Sequence, residues 1–256
     1  MKLYYEQHGL GPDVILLHGW GLHSGVWDRL VSWLAADFRV TVIDLPGHGR
    51  SQDSAEYSLK NLVELIVPML MGPAVWIGWS LGALIALRAA QSRLPAVRKM
   101  VLVAATPKFV QSPDWHCAMA APVLQQLAQD LAEDHHAALR RFLSLQLGAK
   151  QQSRALLREL RGLLLLHGEP QPAALQAGLN ILSNTDLRAG LPSIQVPVQL
   201  VHGGCDKLVP LAAAQYLAAQ LPHARLAVLP AAGHAPFLSH ARDFTEVLLP
   251  FLYGRD

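Results

Sequence analysis

Cysteine is nearly absent. Only Cys117 and Cys205 occur in 256 residues, which gives no disulfide framework and no thiolate set for a metal, and fits a reducing compartment. Charge is also sparse: Asp, Glu, Lys and Arg make up 16% of the chain with a net +2. That is too little to argue for nucleic acid, and no aromatic-basic stripe accompanies it. No apolar run approaches the roughly 20 residues that cross a bilayer, so no membrane partner is expected. The first residues are interrupted by Glu6, His8 and Asp13 and lack the basic and apolar segments of a secretory leader, so a cytoplasmic protein is expected. No His-Glu-x-x-His, G-x-G-x-x-G or P-loop occurs. His135 and His136 are adjacent, and neighbours on a helix should face about 100° apart. Neither a metal nor a cofactor is expected.

What is present is an ordinary core. Apolar residues form 52% of the chain, enough for one compact domain. Short β-rich runs alternate with helical patterns, which predicts an α/β protein with a mostly parallel sheet and helices on both faces. Val14 to Leu17, Arg39 to Ile43, Ala74 to Ile77 and Lys99 to Val103 read as buried strands. Leu59, Leu62, Val63, Ile66 and Leu70 have helical spacing, and Leu81 to Gln91 is a helix of small residues that can pack close to a sheet. Residues 107–192 hold no convincing strand, only helical stretches. Strands resume at Pro197 to Val201 and Leu226 to Leu229. Residues 1–106 and 193–256 are therefore expected to form the core, and 107–192 a helical cap inserted between what would be the sixth and seventh strands. No internal repeat is visible.

One constellation carries chemistry. Val75-Trp76-Ile77 leads into Gly78-Trp79-Ser80-Leu81-Gly82, and a helical pattern begins at once. This is G-x-S-x-G in a strand-turn-helix setting, where a sharp turn needs small flanking residues and the helix N-terminus offers N–H groups to developing negative charge. A serine hydroxyl needs a base. Of the 12 histidines, His234 in Ala232-Gly233-His234-Ala235-Pro236 follows a strand and completes the chain order serine, acid, histidine. Asp206 ends the glycine turn Gly203-Gly204-Cys205 and is the expected orienting acid. Asp44 precedes the serine and reads better as a brace, within Asp44-Leu45-Pro46-Gly47-His48-Gly49-Arg50-Ser51. The backbone N–H groups of Leu81 and Trp20 are the expected oxyanion donors. His18 reads as a loop brace and Trp20 and Trp79 flank the serine, Trp20 as a pocket wall and Trp79 with its ring either at the pocket or pointing into the scaffold. With a serine at the elbow, dehalogenase or epoxide-hydrolase chemistry, which would use an aspartate there, is not expected.

The charge that exists is concentrated. Between His135 and Gly168 lie Arg140, Arg141, Lys150, Arg154, Arg158 and Arg161 against one acid, Glu159. Arg154, Arg158 and Arg161 stand at i, i+4 and i+7, with leucines filling the other side of the helix. This is either a solvated helix face or a docking patch for an acidic partner.

Taken together, Val14-Ile15-Leu16-Leu17-His18-Gly19-Trp20-Gly21-Leu22, Gly78-Trp79-Ser80-Leu81-Gly82, Arg141-Phe142-Leu143-Ser144-Leu145-Gln146 and Ala231 to His240 resemble the pimeloyl-[acyl-carrier protein] methyl ester carboxylesterases of biotin synthesis, which have the α/β-hydrolase fold. The resemblance runs over nearly the whole chain. It implies a serine carboxylesterase acting through Ser80, Asp206 and His234. Trp20, Ser80, Leu81, Phe142, Leu143, Ser144, Leu145, Gln146 and His234 would contact the acyl substrate, and Arg141, Arg154 and Arg158 would meet the acidic carrier protein. Residues 137–139 read Ala-Ala-Leu where that pattern would hold another basic residue. A monomer is expected. Two other readings remain open at this point: a broad short-chain carboxylesterase, and a slow or non-catalytic ligand receptor on a hydrolase scaffold.

Overall fold

The computed structural model describes residues 2–54, 56–145 and 152–254, with the side chains of 152–155 and 165 outside the description. The chain runs β1 (Tyr5–His8), β2 (Asp13–Leu17), α1 (Asp28–Leu34), β3 (Arg39–Ile43), α2 (Leu59–Ile66), β4 (Ala74–Trp79), α3 (Leu81–Gln91) and β5 (Val97–Val103). Four helices follow: α4 (Ala121–Glu133), α5 (His135–Leu145), α6 (Gln152–Leu166) and α7 (Pro172–Asn184). The chain then completes the sheet with β6 (Val198–Gly203), α8 (Leu211–Gln220), β7 (Ala224–Leu229), α9 (Pro236–Ser239) and α10 (Ala241–Tyr253).

The seven strands lie in the order β1-β3-β2-β4-β5-β6-β7. Only β1 is antiparallel, paired with β3. Every residue of β4 is buried, as expected of a central parallel strand covered on both faces. The sequence criterion of apolar runs missed β1. Its Tyr-Glu-Gln-His alternates exposed and half-buried positions, and an edge strand of that kind leaves no continuous apolar signal.

Helices α4 to α7 fall within the stretch expected to be helical, and its expected position in the sheet is corrected. It follows the fifth strand and precedes the sixth, not the sixth and seventh. The residues before Asp13 supply a single strand, so the count is one lower throughout. The insertion shares the core rather than building its own. Leu127, Leu139, Phe142, Leu175 and Leu179 belong to one apolar cluster with Trp20 and Leu81. Leu143, Leu156, Leu160 and Leu164 belong to the other, with Trp79 and Phe237. The leucine face of α6 thus packs inward as its spacing predicts.

Candidate active site

The C-terminal ends of β4, β6 and β7 bring the three predicted groups to one edge of the sheet. Ser80 follows β4 directly with φ 54° and ψ −110°, a conformation that costs a non-glycine residue energy and recurs at functional turns. The turn is held from outside by Ser80 N–H donating to the Val103 carbonyl over 3.0 Å. Both glycines of the motif are steric necessities. A Cβ on Gly78 would lie 2.3 Å from the Gly82 carbonyl oxygen, and one on Gly82 would lie 2.3 Å from the Leu17 carbonyl oxygen. The start of α3 therefore presses against both its own strand and β2. Leu81 opens α3, so its N–H has no acceptor within the helix.

Asp206 and His234 meet across the turns after β6 and β7. His234 Nδ1 donates to Asp206 Oδ2 over 2.8 Å, and the N–H groups of Leu208 and Val209 donate to Oδ1 over 2.9 and 3.0 Å. Burial alone would raise the Asp206 pKa. The imidazole of His234, its hydrogen bond, and the Val209 N–H outweigh burial and hold the carboxyl below its ordinary value. His234 Nε2 is buried with no hydrogen-bond partner. A neutral imidazole whose Nδ1–H is committed to a carboxylate leaves Nε2 as a bare acceptor, the state a general base requires.

His18 is a brace, as expected. Its Nδ1–H donates to the Gly19 carbonyl over 2.8 Å, and its Nε2 accepts the Leu45 N–H over 2.9 Å. Burial keeps it neutral by pushing its pKa well below the ordinary imidazole value, and neither nitrogen is free for proton transfer. Asp44 is likewise committed, accepting from Ser24 N–H, Arg50 N–H and the Arg50 guanidinium.

The alpha/beta hydrolase family model matches residues 14–247. The chain belongs to the alpha/beta hydrolase family. A protein of Nitrosomonas europaea named pimeloyl-[acyl-carrier protein] methyl ester esterase is 44% identical over 245 residues, covering 96% of this chain and 97% of its own. Proteins of the same name from Xanthomonas campestris and Methylococcus capsulatus are 44% and 40% identical, each match covering 98% of this chain and 98% and 99% of theirs. Among solved structures, an esterase from Exiguobacterium antarcticum superposes with a TM-score of 0.90 at 25% identity, covering 98% of this chain and 95% of that one. A bromoperoxidase from Bacillus anthracis superposes equally well, at 0.90 with 24% identity and the same coverage, which speaks for the fold alone.

In this hydrolase Trp20 is buried edge-on against Phe142, with ring centroids 4.7 Å apart at 77°. Phe142 and Leu143 are buried and Leu145 half-buried. Ser144 lies on the outer side of α5. It is exposed, and its hydroxyl donates to the Arg140 carbonyl over 2.8 Å, because consecutive residues of α5 cannot all face the core. Gln146 and Lys150 lie outside the described residues, as does the side chain of Arg154. Arg141 is exposed but paired with Asp130, whereas Arg158 is exposed with no ion pair among the described residues.

Sequence reasoning undervalued three residues. Trp79 does not line the serine from the side. Its indole N–H donates to the His234 carbonyl over 2.7 Å, and it is fully buried against Phe237. Gly178 of α7 lies against Trp20, and His202 lies beside Asp206. A lone Gly or His carries no sequence signal for such contacts. His135 and His136 also depart from expectation, with rings side by side at 3.9 Å. With Glu169 they are the one set of three such side chains among the described residues whose ligand atoms all lie within 4.8 Å of one another. An exposed contact of His136 Nδ1 with the Glu169 carboxylate at 2.7 Å accounts for that approach. No described helix is long and apolar enough to cross a membrane.

Proposed function

We propose that Ser80, His234 and Asp206 are the catalytic triad of a pimeloyl-[acyl-carrier protein] methyl ester esterase serving biotin synthesis in the cytoplasm. The enzyme is a carboxylic ester hydrolase. The observation that carries the reaction is the His234 imidazole, fixed to Asp206 at Nδ1 over 2.8 Å and unpartnered at buried Nε2, on the same sheet edge as the elbow serine. The substrate follows from near-full-length relatives that share one name.

The Ser80 hydroxyl attacks the methyl ester carbonyl as His234 Nε2 takes its proton. The N–H groups of Leu81 and Trp20 hold the oxyanion. Collapse expels methanol, protonated by the imidazolium, and leaves the carrier-bound pimeloyl chain esterified to Ser80. Water, deprotonated by His234, then attacks this acyl-enzyme and releases a free carboxylate at the chain end. Asp206 keeps the imidazole in the right tautomer and stabilises its cation without taking the proton. Phe142, Leu143, Ser144 and Leu145 contact the acyl chain, and Arg141, Arg154 and Arg158 bind the acidic carrier. The enzyme works as a monomer.

The test is incubation of the pure protein with the methyl ester of pimeloyl-carrier and with a free short ester. Methanol release that favours the carrier substrate and disappears in Ser80→Ala is expected. Equal efficiency on both esters removes the carrier and leaves a broad esterase. Failure of a fluorophosphonate to label Ser80 in folded protein removes the enzyme reading.

A further inference from the structure

His202 is the fifth residue of β6 and one of the most buried polar residues of the protein, 1% exposed. Its Nε2 lies 2.9 Å from the Val209 carbonyl oxygen. A carbonyl only accepts, so Nε2 carries the proton and donates. Nδ1 is buried without a partner. The same Nε2 stands 3.6 Å from Asp206 Oδ2, the oxygen that receives the proton of His234.

Val209 is thereby gripped at both ends. Its N–H donates to Asp206 Oδ1 and its carbonyl accepts from His202. The front of the acid turn is tied to the end of β7 by Gly204 N–H to the Leu229 carbonyl and Cys205 N–H to the Ala232 carbonyl, each over 2.9 Å. The back of the turn is tied to β6 through His202. Which carboxylate oxygen faces His234 depends on where Leu208 and Val209 present their N–H groups, and the His202 clasp sets that position relative to the sheet.

We propose that His202 is a positioning residue for the acid, acting through Val209 to fix the carboxylate orientation that holds the His234 tautomer. This rests on the triad reading above. The titratable groups facing His202 are Asp206 from the following turn and His234 from the turn after β7. Burial lowers the His202 pKa against the opposing pull of Asp206, so the ring stays neutral and does not compete with His234 as a second cation on the same carboxylate.

The experiment compares His202→Leu, His202→Gln and His202→Asn in the full chain. The readouts are melting temperature, kcat and KM on a soluble ester, and the downfield proton resonance of the His234 Nδ1–H. Gln carries its amide N–H about where ring Nε2–H stands, whereas Asn is too short to reach Val209. In His202→Leu and His202→Asn, kcat is expected to fall about tenfold or more with KM nearly unchanged, since an imidazole less well oriented loses transition-state stabilisation rather than binding. The downfield resonance should broaden or shift in both. His202→Gln should restore most of kcat and the resonance.

The proposal is overturned if folded His202→Leu or His202→Asn keeps wild-type kcat and resonance. It is equally overturned if His202→Gln is as impaired as they are, because ring packing rather than the donated hydrogen bond would then matter. Should the Leu variant not fold, the Gln and Asn pair decides. Fluorophosphonate labelling of wild-type Ser80 is run alongside. Absence of labelling removes the triad itself, whereas labelling with unchanged variants removes only the role of His202.

Discussion

The indole N–H of Trp20 donates to the carbonyl of Leu175 over 2.8 Å, joining residues 155 positions apart. One partner sits on the loop after β2, the proposed source of an oxyanion donor, and the other on α7. One turn further along α7, Gly178 lies against the same indole. Helix α7 therefore sets the posture of a residue in that loop, and if the proposed oxyanion role holds, a change there is felt in turnover.

Gly178→Ala tests this coupling. A Cβ there would lie 2.5 Å from Trp20 Cδ1, so the ring or the helix must move. Alanine is otherwise the better helix former by about 1 kcal/mol, which makes the expected sign informative. We expect a lower melting temperature and a kcat reduced about tenfold. A stabilised variant with unchanged kcat would mean that the helix yields without disturbing the loop.

Two further glycines should respond oppositely to the same substitution. Gly82→Ala drives a Cβ to 2.3 Å from the Leu17 carbonyl oxygen, backbone that cannot step aside. A loss of about 3 kcal/mol or more, or failure to fold, is expected. Gly162 in α6 is exposed and has nothing within 4 Å of the added carbon. There Ala should stabilise by up to about 1 kcal/mol. Urea unfolding of both variants checks the contrast.

Arg158→Glu should raise KM for the carrier-bound ester about tenfold, at low salt most strongly, and leave cleavage of a p-nitrophenyl ester unchanged. Arg141→Glu should do less on the carrier substrate, because Arg141 is already engaged by Asp130 within the insertion. Parallel steady-state kinetics at two ionic strengths separate these outcomes. No effect of Arg158→Glu on either ester assigns the basic face to solvent.

Stability should fall as pH drops below the unfolded histidine pKa. His48 is fully buried, and burial pushes its pKa down to about 4. The unfolded chain takes up a proton near pH 6.5 while the folded chain resists until about pH 4. The His48 contribution is thus complete above pH 6.5 and is lost progressively between those values. Roughly 2 kcal/mol should disappear between pH 7 and pH 5 from this residue alone. Urea unfolding at the two pH values, with His48→Asn showing a shallower dependence, is the measurement. An equal slope in wild type and variant would remove His48 as the cause.

The sequence by itself determined most of the sheet and the candidate reacting groups, because both rest on local rules. Parallel strands of the sheet read as apolar runs, and a serine that turns sharply from strand to helix must be flanked by glycines, so β2 to β7 and the Ser80 elbow were legible. Chain order then singled out Asp206 and His234, which the structure holds 2.8 Å apart. Tertiary structure alone decided what supports them. A half-exposed edge strand such as Tyr5–His8 has no period to read. The orientation of Trp79 toward the His234 carbonyl, the pressure of Gly178 on Trp20 and the clasp of His202 on Val209 are contacts between segments that no local rule links. Only packing determines which nitrogen of a buried histidine finds a partner, which residues of α5 turn outward, and whether an exposed arginine is already paired.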